Sequence, residues 1–212
     1  MRLATLIILV SACAANGATI AITYQGTILA AVDDSGQGRL DGKISVGMPW
    51  TASFTIDSNA PAVAPNRYAG ATNLVVTIGT HATITGPVAI WVDDNNTPSQ
   101  QDLWAIRNEP FVQDRSLLTM TVDGVVYPKI KHSLNMIGPS SGFSGQQLVI
   151  PDVSEGIWNG LWPTLAQSTD GLWVVGTVET LNGHPWEHPV PEPGTLVLAM
   201  IGAVCLLGRR YR

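Results

Sequence analysis

Trp50-Thr51-Ala52-Ser53-Phe54-Thr55-Ile56 alternates apolar and polar side chains without a break. Successive side chains on a strand point to opposite faces, so Trp50, Ala52, Phe54 and Ile56 share one face, and that face reads as core. The same period of two recurs on both sides of this stretch. Ile20, Ile22 and Tyr24 alternate within residues 19–25. Leu74, Val76 and Ile78 follow the Pro-rich stretch 60–65, and Val88, Ile90 and Val92 precede the polar stretch 93–101. Val122-Asp123-Gly124-Val125 predicts a hairpin with a type I′ turn, because Asp-Gly accepts the positive φ values that turn requires. Asp170-Gly171 introduces a last predicted strand over residues 172–181, and any helix is short, around residues 153–161. Charged residues make up only 13% of a chain that holds 21 Gly and 14 Pro. Short strands at this spacing predict an all-β body, a single antiparallel β-sandwich or jelly-roll domain over residues 19–181.

The two ends read differently from this body. Met1-Arg2 is a small positive start, residues 3–10 are apolar, and Ala12-Cys13-Ala14 is an A-x-A cleavage pattern with Asn16-Gly17-Ala18 as a later one. These features make a secretory signal over residues 1–18, expected as a helix and cut after Ala14 or Ala18 by a signal peptidase once the translocon has engaged it. Val10-Ser11-Ala12-Cys13 also fits a lipoprotein signal in which Cys13 becomes the acylated first residue. Cys13 and Cys205 are the only cysteines, so the body between them holds no disulfide and its stability must come from burial.

Residues 182–190 are rich in Gly and Pro and read as a linker. Pro191, Glu192 and Pro193 follow, then thirteen uncharged residues at 196–208, then Arg209, Arg210 and Arg212 as a basic stop. The prolines fix their own φ and bias their predecessors toward extended backbone, which suits a peptide taken by a protease. As a helix, thirteen residues span roughly 20 Å, short of the ~30 Å hydrocarbon core. Seven of them are Leu, Ile or Val, worth only about −2 to −4 kcal/mol together on an insertion scale. The segment reads as a marginal hydrophobic helix, lengthened by snorkelling arginines, and the arginines place the body outside the cytoplasmic membrane.

This tail, residues 191–212, resembles the PEP-CTERM sorting signal of exported bacterial proteins, with Pro191, Glu192 and Pro193 as motif residues. The resemblance implies recognition, and cleavage at or near the motif, by an exosortase-type membrane enzyme. It also implies a protein anchored in the cytoplasmic membrane before processing and destined for the outer envelope or the extracellular space. Ile22-Thr23-Tyr24-Gln25-Gly26-Thr27 and the run from Val46-Gly47-Met48-Pro49-Trp50 to Asp57 resemble the opening of uncharacterised PEP-CTERM proteins. So do Ile150-Pro151-Asp152 and Gly176-Thr177-Val178. No activity comes with that likeness.

Catalytic patterns are weak. His184-Pro185-Trp186-Glu187-His188 offers two imidazoles and a carboxylate, but Pro185 and Pro189 break the helix that would bring such ligands onto one face. His81 and His132 are isolated in sequence and read as surface or hydrogen-bonded strand histidines. Asp33-Asp34-Ser35-Gly36 and Asp93-Asp94-Asn95-Asn96 carry hard oxygens without the alternating ligand pattern of an EF-hand loop, and turn chemistry accounts for both. A glycosidase pair cannot be chosen among Asp102, Glu109, Asp114, Asp152, Glu155 and Glu179 without geometry. No nucleophile elbow or phosphate-binding loop is present, and no metal or cofactor is expected. Residues 19–190 hold seven Lys or Arg and fifteen Asp or Glu, 7 − 15 = −8, which disfavours nucleic acid.

Tryptophan is in surplus at Trp91, Trp104, Trp158, Trp162, Trp173 and Trp186. Exposed indoles cover sugar rings well, so Trp158, Trp162 and Trp173 are the candidates for sugar stacking, against core packing for most of these rings. The sequence therefore predicts an exported, non-catalytic envelope or extracellular-matrix protein of a surface or exopolysaccharide layer. A carbohydrate-binding module is the alternative.

Overall fold

The structure is a computed structural model and describes residues 18–96, 101–108, 118–138, 148–151, 153 and 159–186. The signal, the sorting tail and its 196–208 segment lie outside these residues, as do both expected terminal helices. The described chain is all strand and turn apart from a single turn-like residue at Val153. In order its strands are β1 (Thr19–Asp33), β2 (Pro49–Asp57), β3 (Ala62–Ala64), β4 (Arg67–Ala69), β5 (Leu74–Ile78), β6 (Ala82–Gly86) and β7 (Ala89–Asn96). They continue with β8 (Gln101–Arg107), β9 (Leu118–Val122), β10 (Val125–Gly138), β11 (Asn159–Gln167), β12 (Leu172–Gly176), β13 (Thr180–Leu181) and β14 (His184–Pro185).

Strand pairing departs from the expected sandwich or jelly roll. β1, β2, β5, β6, β9, β10, β11 and β12 pair antiparallel in that order, and β12 returns to β1, closing an eight-stranded barrel. Closure depends on the two longest strands, of 15 and 14 residues. β1 pairs with β2 over Thr19–Thr27 and with β12 over Ile28–Asp33, with a bulge between Ile28 and Ala30. β10 pairs with β9 as far as Ile130 and with β11 from Lys131 onward, with a bulge between Tyr127 and Ile130 where Lys129 has φ 65°. A bulge bends its strand and increases local twist, so each long strand turns the corner between what would otherwise be two sheets with free edges. β8 takes the β10 edge that β9 leaves and extends it through β7, β4 and β3 as a flange.

The alternation expected from sequence is realised in the barrel wall. Trp50, Ala52, Phe54 and Ile56 point inward from β2, Ile22 and Tyr24 from β1, and Leu74, Val76 and Ile78 from β5. Burying each large side chain contributes roughly 1.5–3 kcal/mol. Thr23, Thr51, Ser53, Thr77 and Thr85 point outward. This apolar-in, polar-out order is the reverse of a lipid-facing barrel. Asp123 (φ 45°) and Gly124 (φ 82°) form the expected turn between β9 and β10. The stretch 34–48 folds over one barrel end and buries Leu40 and Ile44. Gly26 and Gly176 permit the closest approach in the wall: a Cβ on Gly26 would overlap the Thr177 carbonyl, and one on Gly176 the Trp50 indole.

Two expectations need correction at the C-terminal side. The predicted strand 172–181 is broken at residues 177–179 into β12 and β13, and residues 159–161 of the expected short helix are strand in β11. Residues 182–186, assigned by composition to a linker, belong to the body. Asn182 (φ 50°) and Gly183 (φ 79°) turn β13 into β14, and Trp186 is buried at 7% exposure. Gly and Pro here serve a tight turn against an edge, not an open tether.

Candidate functional site

Two polar clusters stand inside or against the barrel. At the corner of β10 the backbone ladder is interrupted between Ile130 and Ser133, and its free groups need partners. Asn108 supplies them: its Nδ2 donates to the Ile130 carbonyl at 2.9 Å and its Oδ1 accepts from the His132 N–H at 2.6 Å. The His132 ring is buried between the Leu165 carbonyl, 3.2 Å from Nδ1, and the Tyr24 hydroxyl, 2.8 Å from Nε2. A carbonyl only accepts, so Nδ1 carries the proton and Nε2 accepts from Tyr24. Burial lowers the His132 pKa to about 4, against the Leu165 carbonyl, which raises it, and burial drives the Tyr24 phenol well above its ordinary value. His132 is therefore a hydrogen-bonded strand histidine, one of the two readings its sequence allowed.

The second cluster closes the capped end. Asp33 accepts from Arg39 Nη2 at 2.6 Å, Nε at 3.1 Å and backbone N–H at 2.7 Å, and from the Ser35 hydroxyl at 2.6 Å. Arg39 Nη1 also donates to Asp170 Oδ2 at 2.8 Å, and Ser168 Oγ donates to the other Asp170 oxygen. Arg39 is 4% exposed, and its guanidinium lies 5.7 Å from the Tyr127 ring centroid. Hydrogen bonds from Arg39 hold the Asp33 carboxyl far below the ordinary range. The first acidic stretch thus spends its leading carboxylate on an internal cation.

In the second acidic stretch, Asp93 accepts from Asn66 Nδ2 at 2.7 Å and lies 3.4 Å from Arg67 Nη1. Arg67 and Arg107 stack on Trp91 at 3.4 and 4.6 Å from its ring centroid. His81 Nδ1 meets Asp123 Oδ1 at 3.0 Å on the surface. Among the described residues no three His, Cys, Asp or Glu side chains converge on one point. Asp102 is buried in β8 and Glu179 is exposed beside β13. Glu109, Asp114, Asp152 and Glu155 lie outside the described residues.

Of the sugar-stacking candidates, Trp173 is 40% exposed on β12, opposite the exposed Val32. Trp158 lies outside the described residues, and Trp162 is placed in β11 by its backbone only. Trp50, Trp91, Trp104 and Trp186 are buried. An open depression of about 360 Å³ lies on the outer wall beside the β13–β14 hairpin, lined by Thr23, Gln25, Thr51, Ser53, Thr180 and Gly183 among others. No sequence signal singled out Arg39, Asn108 or this depression. Trp186 offered one, since a large aromatic is out of place in a solvated linker.

Ala18, one of the two candidate cleavage residues, exchanges hydrogen bonds with Ser58 at the start of β1, at 2.9 and 3.0 Å. Ala14, Cys13, Pro191, Glu192, Pro193, Arg209, Arg210 and Arg212 lie outside the described residues. Among the described residues no helix is long and apolar enough to cross a membrane. No curated protein and no solved structure matches the chain. The PEP-CTERM protein-sorting motif matches residues 189–212, which lie outside the described residues. The chain therefore carries a PEP-CTERM sorting signal, the membrane-anchoring mark of a secreted protein that an exosortase-type enzyme recognises.

Proposed function

We propose that this protein is a non-catalytic component of a surface or exopolysaccharide layer, released to the outer envelope or the extracellular space after its tail is processed. The observation that carries the reading is the sorting motif at 189–212, which follows a barrel whose described residues run to the buried Trp186. Among the described residues the barrel closes on itself between β1 and β12, so the body is expected to stay folded once leader and tail are removed. His132 and the best-connected carboxylates are held by internal partners, which favours a structural over a catalytic role. Fractionation of cells that make the chain tests the reading: the processed body is expected with the surface matrix. Recovery in the cytosol would contradict it, and so would polysaccharide turnover abolished by substituting one carboxylate.

A carbohydrate-binding module delivered by the same route is the second reading, favoured by the exposed Trp173 beside Val32 and Gln167. Titration with surface polysaccharides separates the two. Binding that disappears in Trp173→Ala supports the module, and binding indifferent to that substitution removes Trp173 from the account.

A further inference from the structure

Exposed aromatic and cationic groups meet on one part of the barrel wall. Val32, Trp173, Gln167 and Lys131 pair in a single row across β1, β12, β11 and β10. Directly paired residues share a face, and all four side chains are exposed. Trp50, Trp91, Trp104 and Trp186 are buried, so Trp173 is the one exposed indole among the described side chains. Arg39 is buried and Lys43, Arg67 and Arg107 are half-buried, which leaves Lys129 and Lys131 as the exposed cations among the described residues. Both stand on β10, and among the described residues neither makes an ion pair. The opposite wall, at β6 and β9, turns Thr83, Thr85, Thr119 and Thr121 outward and has no aromatic or cationic side chain.

Neighbouring strands are about 4.8 Å apart, so Gln167 lies roughly 5 Å and Lys131 roughly 10 Å from Trp173 along the row. That spacing suits two consecutive sugar rings. The indole covers the apolar face of one ring, the Gln167 amide can both donate to and accept from hydroxyls, and the Lys131 ammonium offers three donors on a flexible stem. Carboxylates stand at the other end. Asp34 follows Val32 by two residues, its N–H donating to the Gly171 carbonyl at 3.0 Å, while Asp170 in the β11–β12 turn is already held by Arg39 and Ser168. Asp34 therefore repels an anion from the β1 end of the row, and Lys131 attracts it at the β10 end.

Resting on the sugar-binding reading, we infer that this row is a subsite for an acidic polysaccharide, a glycan chain that carries carboxylates on its rings. One ring stacks on Trp173, and the carboxylate of the next ring meets Lys131.

The test measures binding of the protein recovered from cells to polygalacturonate and to the same polymer with its carboxyls reduced to alcohols. Polygalacturonate is expected to bind about fivefold more tightly, the scale of one exposed ion pair. Lys131→Gln should abolish that preference and leave the reduced polymer bound as before. Thr85→Glu lowers the net charge by the same unit on the opposite wall and should keep the preference within about twofold. Trp173→Ala should weaken both polymers about tenfold, because it removes the stacking platform. Equal affinity of the parent for the two polymers would overturn the inference and leave the sugar-binding reading standing. So would equal loss of the preference in Lys131→Gln and Thr85→Glu, or Lys131-dependent binding to phosphatidylserine vesicles without binding to polygalacturonate. No binding of either polymer would remove the sugar-binding reading itself, and this inference with it.

Discussion

The two polar clusters of the barrel solve the same problem in opposite ways. Tyr24 and His132 sit neutral and wholly buried where β10 turns its corner, each nitrogen and hydroxyl matched to one partner. Asp33 and Arg39 sit charged at the capped end, next to an Asp170 that is 57% exposed. A matched neutral group costs little to bury, and deleting its partner leaves one orphaned dipole. A buried charge is tolerable only while its counter-ion stays, so deleting either member leaves an uncompensated ion. The corner should therefore be sensitive to pH and forgiving of substitution, and the capped end the reverse.

The largest expected effect breaks the charged cluster. Arg39→Met strands the Asp33 carboxylate and should lower the unfolding free energy by about 3–5 kcal/mol in urea titration, while Asp33→Asn/Arg39→Met should recover most of that loss. If the double variant were no more stable than the single, the ion-pair account of this end would be wrong.

Acidification separates the clusters next. The folded protein keeps His132 neutral where the unfolded chain protonates it, so stability is full above about pH 6.5 and falls as pH drops toward 4. The gap between 6.5 and about 4 corresponds to roughly 3 kcal/mol. Asp33 acts in the same sense but lower. Its charged form is favoured in the fold, so its contribution is intact above about pH 4 and is lost only below. His132→Leu should cost about 1–3 kcal/mol at pH 7, because Tyr24 and Leu165 lose their partner. It should also flatten the stability curve between pH 6.5 and 4, which a purely space-filling role would not do.

Smaller effects mark regions outside both clusters. Gly124→Val places a β-branched residue at φ 82° and should cost about 1–2 kcal/mol in thermal unfolding. Trp173→Ala, at a part-exposed outer position, should change stability by about 0.5 kcal/mol or less, so any larger change would mean its ring is packed and not available to a sugar.

What the sequence disclosed follows from the range over which each signal acts. Alternation is local, so Trp50 to Ile56, Leu74 to Ile78 and the Asp123–Gly124 turn were legible residue by residue. Barrel closure is not local. It depends on β1 and β10 changing partners at bulges near Ile28 and Ile130, and no period of two records where a strand changes its neighbour. The same short strands would equally make a sandwich with free edges. The clusters were hidden for a related reason, since Tyr24 meets His132 across 108 residues and Arg39 meets Asp170 across 131. Composition misled at residues 182–186, where Gly183 and Pro185 serve a hairpin. The sorting tail was legible because its order of prolines, apolar run and arginines is contiguous in the chain.

The most direct measurement of the whole account is the intact mass of the protein recovered from cells, with both mature termini mapped. It should yield a chain that begins at Ala15 or Thr19, retains Trp186 and ends short of residue 196, with the barrel still folded. A full-length chain recovered from the cytosol, beginning at Met1 and ending at Arg212, would contradict it.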